Sequence, residues 1–455
     1  MPLKRNLSTA DISPWGGIGR FRHKVAEGLH LQSVGVDFPY VKYGRPLFPL
    51  APSEPAEDRL CAFTCLAGGS SPTSQVDIEQ SEWRAANGHL LVERELVADI
   101  GLVWSPRSAE VYGAEWREPL SMAPFYGMIH ALARGHHCYR PVRLDDDLKG
   151  LSVLILPQVG AMSDVEIAIV REFVGAGGTL IATGETSLYD EFGGARTDYG
   201  LSDVFGARMV GAVPGRLDAL TTRALFAPMT MSPGDVGRFK GPATDHSYLR
   251  LEVPAHPVLA GFAGTEVIAF GGQLTPVAVD TQRQVLASFV PPFPSFPIDK
   301  VFPEVPTTSI PGLIAGVFGR GRVMFMPADV DRRFGIDPIP DHATLLDNLL
   351  CWACPGGPTV RVTGAGDVLS VLYRQNGTLL LHLINVTGAD NQAGPIEGFM
   401  PTGPITVEVR VAGNRNRPTS VELRTTGEPM RVEESDGTVT FELDRLVDHE
   451  LVVIA

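Results

Sequence analysis

The stretch from Leu151 to Gly193, LSVLILPQVGAMSDVEIAIVREFVGAGGTLIATGETSLYDEFG, constrains the fold more than any other part of the chain. Val153 to Pro157 is an apolar run that suits a strand covered on both faces. Ser163 with Glu166 three positions on is a capping-box signature, so a helix starts there. Val165, Ile169 and Phe173 recur every four residues and predict one apolar helical stripe. Gly177-Gly178 ends that helix, because glycine adopts the left-handed C-terminal conformation without a Cβ clash. Thr179 to Thr183 reads as the next strand. The unit is strand, helix, strand, which predicts parallel pairing with a right-handed crossover. It also sets Gly184-Glu185-Thr186-Ser187 at the carboxyl end of a strand, where open α/β sheets bind ligands.

Strands and helices alternate from about residue 97 to about residue 210. Ile100–Trp104 reads as a strand, Leu120–Arg134 as a helix and Tyr139–Val142 as a strand. Ahead of them, 55–66 and 82–96 read as helices, with Ser81 as the N-cap of the second and Gly88 a weak point inside it. Between Pro291 and Pro311 there are seven prolines, which predicts an extended loop. Leu313–Phe318 and Arg322–Met326 then form a hairpin, and Asp341–Ala353 a helix. Pro355-Gly356-Gly357-Pro358 is a boundary. Beyond it, Asn376-Gly377 and Asp436-Gly437 are hairpin turns, and Ile405, Val407, Val409 and Val411 alternate with polar residues. That tail predicts a small antiparallel sandwich.

The bulk composition excludes several classes. At 455 residues the chain can bury substantial cores, in roughly two to four domains. A net charge of −14 argues against nucleic acid and anionic membrane surfaces as partners. No run of about 18 apolar residues occurs, so no transmembrane helix is expected. The first residues carry no apolar signal core, and five cysteines is a low, odd count; a reduced, cytoplasmic protein is the expectation.

Candidate chemistry is sparse. Glu185, Asp190 and Glu191 lie in the loop after Thr183 and are the substrate-cleft candidates; helix caps and surface charge are the alternative. A doubly wound sheet invites comparison with class I glutamine amidotransferases, which need a cysteine nucleophile at a tight strand-to-helix elbow. Ile181-Ala182-Thr183-Gly184-Glu185 has neither cysteine nor serine there. Cys351-Trp352-Ala353-Cys354 closes a helix instead of opening one, so buried thiols outweigh a redox motif. Cys61 and Cys65 are the only second ligand pair for a zinc site. The two histidines of His136-His137-Cys138 follow a helix end, which accounts for them without a metal. In the first 110 residues Asp77, Glu79, Glu82, Glu93 and Glu95 are carboxylates near element edges, of which Asp77 and Glu79 are the weak catalytic candidates.

IGLVWSPRSAEVYG (100–113), the unit from Val153 to Gly193, DHSYLRLEVPAHPVLAGF (245–262), GRGRVMFMPADVDRRFG (319–335) and DHATLLDNLLCWA (341–353) together resemble a glycosidase family. The resemblance is to the trimerisation domain of family-42 β-galactosidases and their hypothetical glycosyl hydrolase relatives, over roughly residues 97–455. It implies a fold of three parts: a partial (β/α) barrel remnant (1–96), a doubly wound class I glutamine-amidotransferase-like trimerisation domain with a Pro-rich insertion (97–356), and a C-terminal antiparallel β-sandwich (357–455). Such a barrel needs about 250 residues, so its front is expected to be missing. The implied activity is hydrolysis of a β-galactoside-like bond by two carboxylates about 5–9.5 Å apart, with no cofactor. The implied partners are a carbohydrate and two further copies of the chain. A noncatalytic oligomerisation or carbohydrate-binding module is the alternative, and an amidotransferase-like enzyme a weaker one.

Overall fold

The computed structural model describes residues 55–69, 78–114, 118–210, 247–290, 299, 302, 306–354, 356–388, 398–411, 420–427, 430 and 432–455. Most of the proline-rich segment after Pro291 lies outside them, as does Asp77. The chain divides into two compact units: Asp99–Ala131 with Val142–Gly357, and Met1–Ala98 with Leu132–Pro141 and Pro358–Ala455.

In the first of these, four strands pair in parallel: Ile100–Val103, Val153–Leu156, Thr179–Thr183 and Gly321–Met326. Every residue of the first three is buried, as expected of strands covered on both faces. The sheet continues through Pro311–Phe318, Gln284–Val290, Tyr248–Leu251 and Val267–Ala269, now antiparallel. It is therefore mixed, with parallel pairing confined to one side. Register sets Met326 beside Thr183 and Leu156 beside Ala182, so these strands finish level at their carboxyl ends.

The helix Asp164–Gly175 forms as its signals require. Ser163 Oγ accepts the Glu166 N–H, and the Glu166 carboxylate accepts the Ser163 N–H at 2.7 Å. At the other end Gly178 N–H donates to Phe173 O and Gly177 N–H to Val174 O, the paired bonds of a Schellman stop. The buried stripe, however, is Ile167, Val170 and Val174, and Val165 is exposed. Both sets have helical spacing; the layer that covers the helix decides between them. Ser163→Ala is expected to cost about 1 kcal/mol of stability in urea unfolding, through loss of the cap.

Two glycines fix how the helix Ala123–Arg134 meets the helix Val330–Ile336. A Cβ on Gly127 would lie 1.9 Å from the Asp331 carbonyl oxygen, and one on Gly335 would lie 2.1 Å from that of Ala123. The two backbones touch where ordinary helices are held apart by side chains.

The second unit contains two antiparallel sheets. One runs Glu95–Leu96, Val368–Gln375, Thr378–Asn385, His449–Ile454 and Val421–Leu423; the other runs Val360–Gly364, Ile405–Arg410, Thr438–Leu443 and Glu433–Ser435. Val407, Val409, Leu372, Leu381, Phe441 and Val452 are among the buried side chains of their common core. Both hairpin turns form as the sequence predicts, with Asn376 and Asp436 at positive φ (50° and 51°). The helix expected from residue 82 begins at Ile78 instead, which puts Ser81 inside it and not at its cap. It stops at Asn87 ahead of a single tight turn, Gly88–Leu90, and Glu95–Leu96 is drawn into the sheet beside Tyr373 and Arg374. No closed barrel is formed by the described residues. Among them, no helix is long and apolar enough to cross a membrane.

Candidate functional site

The carboxyl ends of the parallel strands carry a buried polar network. Thr183, the last residue of its strand, has a fully buried hydroxyl that donates to Asp331 Oδ2 at 2.6 Å and accepts the Gln158 N–H at 2.9 Å. Gln158 sits at φ 47°, just past the neighbouring strand, and its amide donates to the Leu120 carbonyl and to the Tyr112 hydroxyl. The Tyr112 hydroxyl donates in turn to Glu185 Oε2 at 2.7 Å. Thr186 closes the turn with its hydroxyl on the carbonyls of Thr183 and Leu156. Asp329 forms an ion pair with Arg332 and accepts the Gln273 N–H.

Electrostatics separate the carboxyls of this network. Asp331 is enclosed entirely; burial, aided by the charge of Asp329, raises its pKa to about 7. Its Oδ1 has no hydrogen-bond partner among the described residues. Asp190 behaves oppositely: the Gly194 and Phe192 N–H groups donate to it and hold its pKa below the usual carboxylate value.

These positions answer the sequence candidates one by one. Glu185 is buried and bonded to Tyr112. Asp190 folds back on its own loop and Glu191 is half-buried in it. The same loop therefore places one carboxylate in the interior network and another in a local turn. Glu79 lies on the helix Ile78–Asn87, its side chain outside the described part, and Asp77 lies outside altogether. The position after Thr183 is Gly184, at φ 55°, followed by Glu185, so neither cysteine nor serine stands at those two positions. Cys351 is exposed and Cys354 buried where the helix Pro340–Ala353 ends. Thr183, Gln158, Tyr112 and Asp331 were not singled out by sequence. Their contacts join positions 25 to 148 residues apart, and only the Pro157-Gln158 break after an apolar run hinted at one of them.

The second unit holds its own buried chain of polar groups. Arg94 Nη1 lies 2.6 Å from His382 Nε2, and His382 Nδ1 lies 3.0 Å from His449 Nε2. A guanidinium only donates, so His382 accepts at Nε2 and carries its proton on Nδ1. His449 then accepts at Nε2 and is protonated at Nδ1, a donor with no partner among the described residues. The Arg94 guanidinium is 3.8 Å above the Tyr373 ring. Phe63 stacks on His449 with centroids 4.2 Å apart, and Trp83 meets it edge-on. Burial lowers both histidine pKa values, that of His449 to about 3. Arg59 pairs with Asp448 beside them. Both rings are thus neutral spacers in a fixed hydrogen-bond direction.

No protein-family model and no curated protein sequence matches this chain. Solved structures do. An α-L-fucosidase isoenzyme 2 from Paenibacillus thiaminolyticus is 18% identical, with a TM-score of 0.65 over 96% of this chain and 63% of its own. A β-galactosidase from Bacillus circulans sp. alkalophilus is 13% identical, with a TM-score of 0.60 over 96% of this chain and 58% of its own. A GH42 β-galactosidase from G. stearothermophilus, solved as a catalytic mutant, is 14% identical, with a TM-score of 0.58 over 100% of this chain and 58% of its own. The chain thus spans 58–63% of the length of these three structures. At such identities the likeness is one of fold, and the fold is β-galactosidase-related.

Proposed function

We propose that the chain is the supporting part of a glycoside hydrolase of the β-galactosidase type, and that its described carboxylates hold the fold instead of cleaving the sugar. In this reading residues 97–356 are the oligomerising α/β domain, 357–455 the accompanying sandwich, and three copies assemble around a carbohydrate-processing site. The observation that carries it is the match of 96–100% of the chain to glycosidase structures, combined with the burial of Glu185 and Asp331 at the sheet edge. Glycoside hydrolysis needs two carboxyl groups facing one sugar across about 5–9.5 Å, one of them free to protonate the leaving oxygen. Glu185 is already bonded to Tyr112 and Asp331 to Thr183, each within the packed interior.

The test is turnover of the purified chain on 4-nitrophenyl β-galactoside and 4-nitrophenyl α-L-fucoside, with sedimentation of the same sample. The expected result is a trimer without sustained release of nitrophenol. Turnover that Asp77→Asn or Glu79→Gln abolishes would replace this reading with a self-sufficient glycosidase.

A further inference from the structure

The seat of the short helix Val330–Ile336 has a feature that support of a glycosidase does not require. Asp331 projects from its first turn into the sheet edge, where Thr183 supplies a side-chain hydrogen bond to Oδ2 and the Arg332 backbone N–H assists, while Oδ1 has no hydrogen-bond partner among the described residues. On the opposite side the Asp331 carbonyl rests against Gly127, at a distance that leaves no room for a methyl group. The Asp331 side chain is fully buried, and the backbone that carries it is packed against Gly127.

The charged and titratable neighbours are few. Asp329 and Arg332, on the same segment, neutralise each other as an ion pair. Among the described residues the strand Thr179–Thr183 contributes the Thr183 hydroxyl. The helix Ala123–Arg134 contributes the Gly127 backbone, and one turn on, His130, stacked on Phe334 with centroids 4.9 Å apart. His342, from the following helix, is 2.9 Å from the Ala269 carbonyl, and burial lowers its pKa to about 4. Arg332 offsets an ionised Asp331 only in part, because Asp329 holds it, and Arg333 on the same helix pairs with Asp337.

We propose that Asp331 is a proton-operated latch: protonated, it seats the helix Val330–Ile336 on the sheet edge; ionised, it releases that helix into local opening. A buried carboxylate with one oxygen unpaired is costly, whereas the opened segment hydrates it fully. The direction follows. Burial raises the native pKa to about 7 from an ordinary 3.8, so the closed seat binds the proton more tightly than the open one. The seat is firmest below the ordinary value and weakens as pH rises toward about 7. Above that the effect levels off, because both states are ionised.

Amide hydrogen exchange on the full chain tests this, with rates corrected for the intrinsic pH dependence. Protection at residues 330–336 is expected to fall about fiftyfold from pH 5 to pH 7, then level off. The amides of the helix Asp164–Gly175 serve as the internal reference and change little. Asp331→Asn is expected to abolish the pH dependence, since an amide does not titrate. Should that variant not fold, Thr183→Val offers a second readout: loss of the Thr183 hydrogen bond to the carboxylate shifts the decline to higher pH. A flat wild-type profile, or an undiminished slope in Asp331→Asn, overturns the latch.

Discussion

Gly127→Ala destabilises the α/β unit by about 3 kcal/mol, because a single methyl group has nowhere to go. Its Cβ would sit 1.9 Å from the Asp331 carbonyl oxygen, a backbone atom that no side-chain rotation can clear. The helices Ala123–Arg134 and Val330–Ile336 must then separate, taking Asp331 away from Thr183. Gly335→Ala acts on the same contact from the other side, against Ala123. Alanine ordinarily favours a helix over glycine by about 1 kcal/mol, so a loss here reports contact and not propensity. Gly88→Ala is the control: no atom lies within 4 Å of the added Cβ, and its stability should match wild type or exceed it slightly. Urea midpoints for the three variants decide the matter, and near-equal midpoints would remove the close helix crossing from the account.

The second large effect is acid lability of the sandwich unit. His382 and His449 are neutral when folded, and burial is the first cause of both lowered pKa values. The unfolded chain takes up their protons below about 6.5, the folded chain only near 3 for His449. Their stabilisation is therefore present above the unfolded value and is lost as pH falls through the window beneath it. The His449 proton alone gives a slope of about 1.4 kcal/mol per pH unit, so about 2 kcal/mol disappears between pH 6.5 and pH 4.5, and His382 acts in the same direction. Glu450, whose pKa burial raises to about 7, works against this slope over part of the range. The informative quantity is thus the difference between wild type and a His382→Gln, His449→Gln double variant. The variant should be less stable at pH 7 but lose less on acidification. Equal slopes would show that the two rings do not titrate on unfolding.

The sequence was most informative where the physics is local. Ser163 with Glu166, Gly177-Gly178, Asn376-Gly377 and Asp436-Gly437 each act within a few residues, and each does what its chemistry implies. The strand Val153–Leu156 was legible because burial on both faces leaves an unbroken apolar run. Legibility failed where a distant partner chooses among local options. The helix Asp164–Gly175 had two apolar stripes to offer, and the covering layer took Ile167, Val170 and Val174. Residues Glu95–Leu96 left the predicted helix because the strand Val368–Gln375 presented an edge to pair with.

The site was less legible than the fold for the same reason. Glu185 was identifiable from its place after a strand, but its partner Tyr112 lies 73 residues earlier in a segment with no regular periodicity. No local pattern marks Asp331; only pairing of the strands Thr179–Thr183 and Gly321–Met326 brings it over Thr183. Arg94, His382 and His449 meet across 288 and 67 positions, so no spacing rule could join them. Hydrophobic patterns encode which face is buried, but they do not encode which polar groups are buried together.

In the supporting role proposed above, the chain does not itself supply the pair of carboxylates that breaks a glycosidic bond. The most direct test of that role is intact-mass spectrometry after incubation with 2-deoxy-2-fluoro-β-galactosyl fluoride, which leaves a long-lived sugar ester on a retaining nucleophile. The account predicts an unchanged mass. A stoichiometric glycosyl adduct on any aspartate or glutamate of the chain would contradict it.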